Sequence, residues 1–318
     1  MTMFWKWICA AALTAATAAT AADAYPSKPI KMMVGFSPGG ATDILARLYA
    51  AKLSQKLGQT VVVENRPGSG GNLAIDALAK APADGYTLAM GANYIAVNAA
   101  LKRNPYDWKR DLAPVAMIAS TPNLLVVPVE SKLKTVSDVL TAAKQGTLSF
   151  GSAGVGSSIH MAGELFKAMT QVEMTHIPYR GVSPAELDLV AGRLDLMFGS
   201  ISTAIPLVEA GKLRALAVTG KKRTKILPNI PTMDESGLRG FEVEATFIMV
   251  APAHTPAEII DRLSSAIAEI TRQPDVQRTI ENLYAQPLSG GPQEATAFLR
   301  GEEAKWDNVI KVTGVKVE

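Results

Sequence analysis

Short apolar runs alternate with helix-period segments along most of this chain, and that alternation restricts the fold more than any other feature. "PIKMMVGF" reads as a strand, Thr42 to Leu57 as a helix, "VVVEN" as a strand, Asn72 to Lys80 as a helix and "YTLAMGA" as a strand. In the first helix Ile44, Leu45, Leu48, Tyr49, Leu53 and Leu57 recur at steps of three and four, which gathers them on one buried face. Repeats of this kind build a mostly parallel sheet covered by helices, an α/β fold.

The pattern restarts after "NLLVVPV" (Asn123 to Val129). A helix around Val136 to Lys144 is followed by the strand "TLSFGSA", a helix from Ser158 to Met169, the short strand "MTHIPY", a helix from Pro184 to Ala191, and the strands "LDLMFG" and "LRALAVT". The chain then returns through the apolar strand "TFIMVAP" to two amphipathic helices, Ala257 to Arg272 and Glu294 to Val312. Two α/β units joined by two crossing strands predict two lobes on a hinge. The expected division is 25–125 with 246–318 in one discontinuous lobe and 126–245 in the other. A length of 318 residues suits two cores better than one.

The N-terminus reads differently. Lys6 precedes an alanine-rich apolar run from Ile8 to Ala22, which ends in the small-x-small pattern Ala22-Asp23-Ala24. Residues 1–24 are therefore expected to be an export signal cut after Ala24, too short and too rich in threonine for a membrane span. The one cysteine, Cys9, lies inside that segment, so the mature chain is left without disulfides, thiolate metal ligands or a cysteine nucleophile. The expected location is the periplasm.

Composition excludes further classes. Hydrophobic residues make up 48% and charged residues 19%, a globular balance, and the formal net charge is only +3. The cluster Lys221, Lys222, Arg223 and Lys225 lacks interleaved aromatics and reads as a solvated loop, so no nucleic-acid partner is expected. Three histidines, His160, His176 and His254, show no metal-binding spacing. Neither Gly156-Ser157-Ser158-Ile159 nor Gly154-Val155-Gly156-Ser157-Ser158 fits the G-x-S-x-G of a serine hydrolase, and no nucleophile and base can be paired. The expectation is no enzyme, no metal and no cofactor.

Two glycine loops carry the functional signal. In "VGFSPGGATD" (Val34 to Asp43) a strand turns into a helix, with Ser37 placed to cap and Pro38 suited to the first helical position. Gly39 and Gly40 leave backbone N–H groups open to a ligand, and such a helix start attracts anions. "FGSAGVGSSIH" (Phe150 to His160) repeats the device in the second unit, with hydroxyls from Ser152, Ser157 and Ser158. One helix start per lobe suits a ligand with carboxylates. Asp43 reads equally as a helix-dipole residue or a ligand contact, and His160 as a ligand neighbour or a satisfied helix-start histidine.

The strings "GFSPGGATD", "VVVENRPGSGGNLAIDALAKAPADGYTL", "RDLAPVAMIASTPNLLVV", "GSAGVGSSIHMAGELF", "HIPYRG", "LPNIPTMDESGLRGFE", "APAHTP" and "FLRGEEAKWDNVIKVTGVK" together resemble the Bug family, the TctC-like receptors of tripartite tricarboxylate transporters. The resemblance covers nearly all of the mature chain, in order. It implies a two-lobed periplasmic binding protein of type II, expected as a monomer, closing over a small organic acid. The ligand would sit between Phe36, Ser37, Gly39, Gly40 and Asp43 in one lobe and Ser152, Gly154, Ser157 and Ser158 in the other. Asn93, Tyr179 and Asp195 are further candidates by position; the rival readings are a turn for Asn93, packing under Arg180 for Tyr179 and a backbone cap for Asp195. Arg180, before Gly181, reads as an exposed corner.

The resemblance implies membrane transporter subunits as partners. A sensor that reports to a membrane kinase, or an exported enzyme on the same fold, are the alternatives. Two departures bear on the ligand: Gly199 stands where relatives usually carry aspartate after "MF", and Thr246-Phe247-Ile248 where they usually carry Trp and an apolar-Gly step. A missing carboxylate favours a plain or aromatic acid over an amino acid.

Overall fold

The computed structural model describes residues 25–146, 148–224 and 226–313. The expected export signal lies outside them.

In the first lobe β1 (Ile30–Val34) runs parallel to both β2 (Val61–Asn65) and β3 (Thr87–Ala92), with α1 (Ala41–Leu57) and α2 (Asn72–Ala79) as crossovers. All four apolar residues of β1 are buried in one core with Leu45, Tyr49, Leu53 and Ile75, the last four fully buried. Gly58, in a left-handed conformation at φ 71°, ends α1 by donating to the Ser54 carbonyl. Short helices α3 (Tyr94–Ala100) and α4 (Trp108–Asp111) lead into β4, a 17-residue strand from Leu112 to Pro128.

β4 carries the chain between lobes. Its first part pairs antiparallel with β9 (Glu244–Pro252), and Asn123 to Pro128 pair antiparallel with β7 (Leu196–Ser200) and β8 (Leu213–Val218). The second lobe is completed by α5 (Val136–Gln145), β5 (Leu148–Ser152), α6 (Ser158–Thr170), β6 (Met174–Pro178), α7 (Val182–Val190) and α8 (Ile201–Glu209). In it β5 is parallel to β6 and β7, around a core of Phe150, Phe166, Phe198 and Phe241. α9 (Ala257–Thr271), α10 (Pro274–Asn282), β10 (Gln286–Gly290) and α11 (Pro292–Thr313) close the chain.

Two features differ from the sequence reading. The sheet is parallel only towards its outer strands: β9 runs antiparallel to β3, and β4 antiparallel to all four of its partners. A strand that leaves a lobe and one that returns to it must run in opposite directions, and these two pair with each other. The closing helix also straddles the lobes, since Leu299 belongs to the first core and Trp306 to the second.

The crossing segments are tied together. Thr219 donates from N to the Asn123 carbonyl and from Oγ1 to the Val243 carbonyl, while Asn123 N donates to Thr219 Oγ1 at 2.8 Å. On the first-lobe side Asn93 Nδ2 donates to the Glu244 carbonyl and to Glu302 Oε2, both at 3.0 Å.

Candidate ligand-binding cleft

The two lobes enclose a cleft of about 580 Å³, its mouth included. The first lobe contributes Phe36, Ser37, Gly40, Ala41, Thr42, Asn93, Tyr94 and Phe247, and the second contributes Ser157, Ser158, Ile159, Val182 and Ser200. Thr121 and Asn123, on the crossing strand, form part of the wall. Among the described residues, no acidic or basic side chain lines it.

Both helix starts face this space, but not with the caps expected. α1 begins at Ala41 with Gly40 as its N-cap and no side chain bonded to its first turn, so backbone N–H groups remain for a ligand. Pro38 lies in the preceding turn, because Gly39 at φ 92° adds a residue there before the helix forms. Ser37 does not cap: its hydroxyl and its N–H both reach the Arg180 carbonyl of the other lobe, at 2.9 and 3.2 Å. It latches the lobes at the rim of the cleft. Ser157 does cap α6, accepting from His160 N and donating to the Gly154 carbonyl at 2.7 Å.

Of the sequence candidates, Phe36, Ser37, Gly40, Asn93, Ser157 and Ser158 line the cleft. Asn93 spends both amide hydrogens on the hinge and α11, so it positions the wall as well as forming it. Four others have structural duties elsewhere. Gly39 supplies the turn and donates to Asp43 Oδ2. Asp43 is buried, which disfavours its charge, but bonds from Arg47, Asn65 and Gly39 outweigh burial and hold the carboxylate below its ordinary value. Ser152 Oγ accepts from Gly154 N and bonds His176 Nε2 at 2.6 Å. Asp195 accepts from the amide and hydroxyl of Ser149, both at 2.7 Å, and so acts as the backbone cap. Gly154 and Tyr179 line a separate cavity.

His160 resolves as a core histidine. It is 1% exposed, accepts from Gly156 N at Nδ1, and packs its ring 4.1 Å from that of His176. Burial first, then the neighbouring ring and cations, hold it well below its ordinary value, and burial pushes His176 down to about 4, so both are neutral at neutral pH.

Sequence reasoning missed Thr42, Tyr94, Thr121, Asn123 and Ser200, and noted Phe247 only as a departure from relatives. The most telling is Asn123: it is 2% exposed, its Oδ1 accepts from Ser158 Oγ at 3.3 Å, and its Nδ2 has no partner. A buried donor without an acceptor is costly, and a ligand oxygen in the cleft would relieve it. Asn123 sits where β4 changes lobes, a position with no local signature.

Two lobes, two crossing strands and a cleft walled by both are the architecture of a periplasmic solute-binding receptor, and the comparisons assign the chain to that class. The chain belongs to the tripartite tricarboxylate transporter receptor family, TctC, whose profile matches residues 45–315, and it is a periplasmic binding protein of that kind. It is 35% identical to the protein BugT of Bordetella pertussis over 299 residues, 92% of each chain. The solved structure of Rpa4515 from R. palustris with adipate superposes with a TM-score of 0.87 at 38% identity, covering 91% of this chain and 98% of that one. MatC of Rhodopseudomonas palustris with bound malate gives 0.86 at 31%, covering 90% and 100%.

Proposed function

We propose that this receptor captures a small organic carboxylate in the cleft and delivers it to the membrane subunits of a tripartite tricarboxylate-type transporter. The observation that carries this reading is the lining itself: an uncapped helix start, a capped one opposite, serine and threonine hydroxyls and the unpartnered Asn123 amide, all neutral donors. The adipate and malate of the two related structures are ligands of the same chemical class. Each helix terminus stabilises an anion by about 0.3–2 kcal/mol. Micromolar binding needs about −8 kcal/mol, so hydrogen bonds and burial against Phe36, Tyr94 and Phe247 must supply the rest.

Capture proceeds by closure. The lobes hinge where Pro122 meets Asn123 and Val243 meets Glu244, and an acid that touches both lobes favours the closed form. With no carboxylate in the lining to meet an ammonium group, a plain acid is preferred to an amino acid. The mature chain starts at Tyr25 after export and works as a monomer, docking to its transporter through the outer faces of the lobes.

The test is a thermal-shift screen of residues 25–318 against adipate, malate, citrate, benzoate, aspartate and glutamate. A rise in melting temperature with a plain acid supports the reading. A rise with aspartate or glutamate alone contradicts the ligand class, and no rise with any acid contradicts capture of carboxylates.

A further inference from the structure

Asn93 lines the cleft from the turn between β3 and α3, and its side-chain amide has a fixed polarity. Nδ2 donates to the Glu244 carbonyl and to Glu302 Oε2, so both of its hydrogens are spent on β9 and α11. The reverse orientation would set Oδ1 against a carbonyl and a carboxylate, two acceptors with nothing to donate to it. The amide is therefore held with its oxygen turned away from both.

Glu302 is itself anchored. Its Oε2 also accepts from Trp306 Nε1 at 3.3 Å, and its Oε1 pairs with Lys305 Nζ at 3.5 Å. Trp306 is 1% exposed and packs in the second core, which fixes this turn of α11. The Asn93 backbone is pinned as well: its N–H donates to the Thr246 carbonyl at 2.9 Å, and its carbonyl accepts from Ala96 and Val97.

That leaves Oδ1 without a local use. An asparagine at a helix start commonly accepts from its own first turn. Asn93 already has helical angles, φ −54° and ψ −16°, and its side chain caps nothing. No described residue donates to Oδ1, and the atom is not sealed in the core. β1 and β3 are neighbours in parallel register, Val34 beside Met90, so the loop that carries Asn93 opens on the same edge of the sheet as the loop that carries Gly40. An acceptor thus stands on the same wall of the cleft as the uncapped start of α1.

We propose that Asn93, oriented by Glu302, selects an acid that carries a hydroxyl as well as a carboxylate. The inference rests on the proposed capture of a carboxylate in this cleft and narrows it to hydroxy acids. A hydroxyl brings one neutral donor to one neutral acceptor. An ammonium brings a full charge, and among the described residues no carboxylate lines the cleft to meet it. An acid without the hydroxyl leaves Oδ1 unpaired when it displaces water.

The test is calorimetric titration of the mature chain with pairs of acids that differ by a single hydroxyl: succinate and malate, propionate and lactate, tricarballylate and citrate. Adipate and benzoate are titrated alongside. In wild type the hydroxy acid of a pair should bind at least about fivefold more tightly than its partner. The ratio should fall towards one in Asn93→Ala and in Glu302→Ala. It should return in Glu302→Gln, whose side-chain oxygen still accepts from Asn93 Nδ2. If Glu302 served only to pack α11, Glu302→Ala would weaken both acids of a pair alike and keep the ratio, and that result overturns its orienting role. Equal affinity within the pairs in wild type overturns the selection, and this comparison needs no variant to fold. Binding of adipate or benzoate with none of the paired acids also overturns the selection while capture of a carboxylate stands. Failure of the capture reading shows instead as no binding of any acid, and then both readings fall.

Discussion

Gly70 of the first lobe and Val155 of the second touch through their backbones: a Cβ on Gly70 would fall 1.7 Å from the Val155 carbonyl oxygen. Gly70 also holds φ 61°, a conformation that glycine adopts at little cost. Lobes that part would separate these two backbones. Gly70→Ala is therefore expected to strain the closed form, which neither backbone can relieve, and the open form only by about 1–2 kcal/mol for its φ. Ligand affinity should fall at least tenfold by calorimetry, and small-angle scattering of the ligand-saturated variant should keep a larger radius of gyration than wild type. Unchanged affinity would show that closure does not bring these residues together.

Gly40 offers the complementary case. It caps α1 at φ −82°, an ordinary conformation, and an added Cβ meets nothing within 4 Å because it would project into open space beside the cleft. Gly40→Val should cost about 1 kcal/mol of stability, the price of a poor N-cap. Binding of any acid should be lost or fall by more than tenfold, since the branched side chain crowds the exposed amides of α1. A variant that binds normally would remove this helix start from the site.

Asn123→Leu removes an unpartnered buried donor while keeping four side-chain heavy atoms branched at Cγ. Stability, followed by urea unfolding, should be unchanged or slightly raised, because an orphan donor costs about 1–3 kcal/mol. Affinity for the acid should fall by a comparable amount, roughly five- to 150-fold. A loss of stability without a change in binding would mean that Asn123 serves only the hinge.

Glu186 sets a pH dependence. It is 5% exposed, and burial pushes its carboxyl up to about 7, a shift that the bond from Thr203 Oγ1 at 2.5 Å only partly offsets. Between the ordinary value of 4.5 and about 7 the folded chain holds a proton that the unfolded chain releases. This group therefore lowers stability as pH rises through that window, by about 3 kcal/mol in all, and adds no further slope above it. Glu186→Gln should match wild type near pH 5 and exceed it at pH 8 in melting temperature. His160 and His176, held neutral, act in the other direction, losing stability as pH falls below their ordinary 6.5. They do so equally in both proteins and cancel in the comparison. A stability difference that does not widen from pH 5 to pH 8 would contradict a proton on Glu186.

The legible parts of this chain were those written in local periodicity. Leu45, Tyr49 and Leu53 announce α1, and "GSAGVGSSIH" announces a loop and a helix start, while the cap role of Ser157 emerges only in the structure. β4 was harder to read in full, because Pro114, Pro122 and the polar residues between them break a strand that changes partners midway. The site divides the same way. Gly40 and Ser158 sit on helix starts visible in the sequence, whereas Asn123, Tyr94 and Phe247 reach the cleft through hinge geometry and long-range strand register, Asn123 paired with Ser200 and Ala92, just before Tyr94, with Phe247. Asp43 and Asp195 look like ligand groups in sequence because a carboxylate that accepts backbone N–H bonds has no distinct pattern from one that meets a ligand.

Neutral donors from both lobes are proposed to hold the carboxylate in a cleft that, among the described residues, no charged side chain lines. A crystal structure of the protein with the acid that raises its melting temperature furthest tests this. Carboxylate oxygens are expected within about 3.2 Å of first-turn amides of α1 and of Asn123 Nδ2, with Ser158 among the second-lobe contacts. An acid seated away from this cleft, or one held there by a charged side chain, would contradict it.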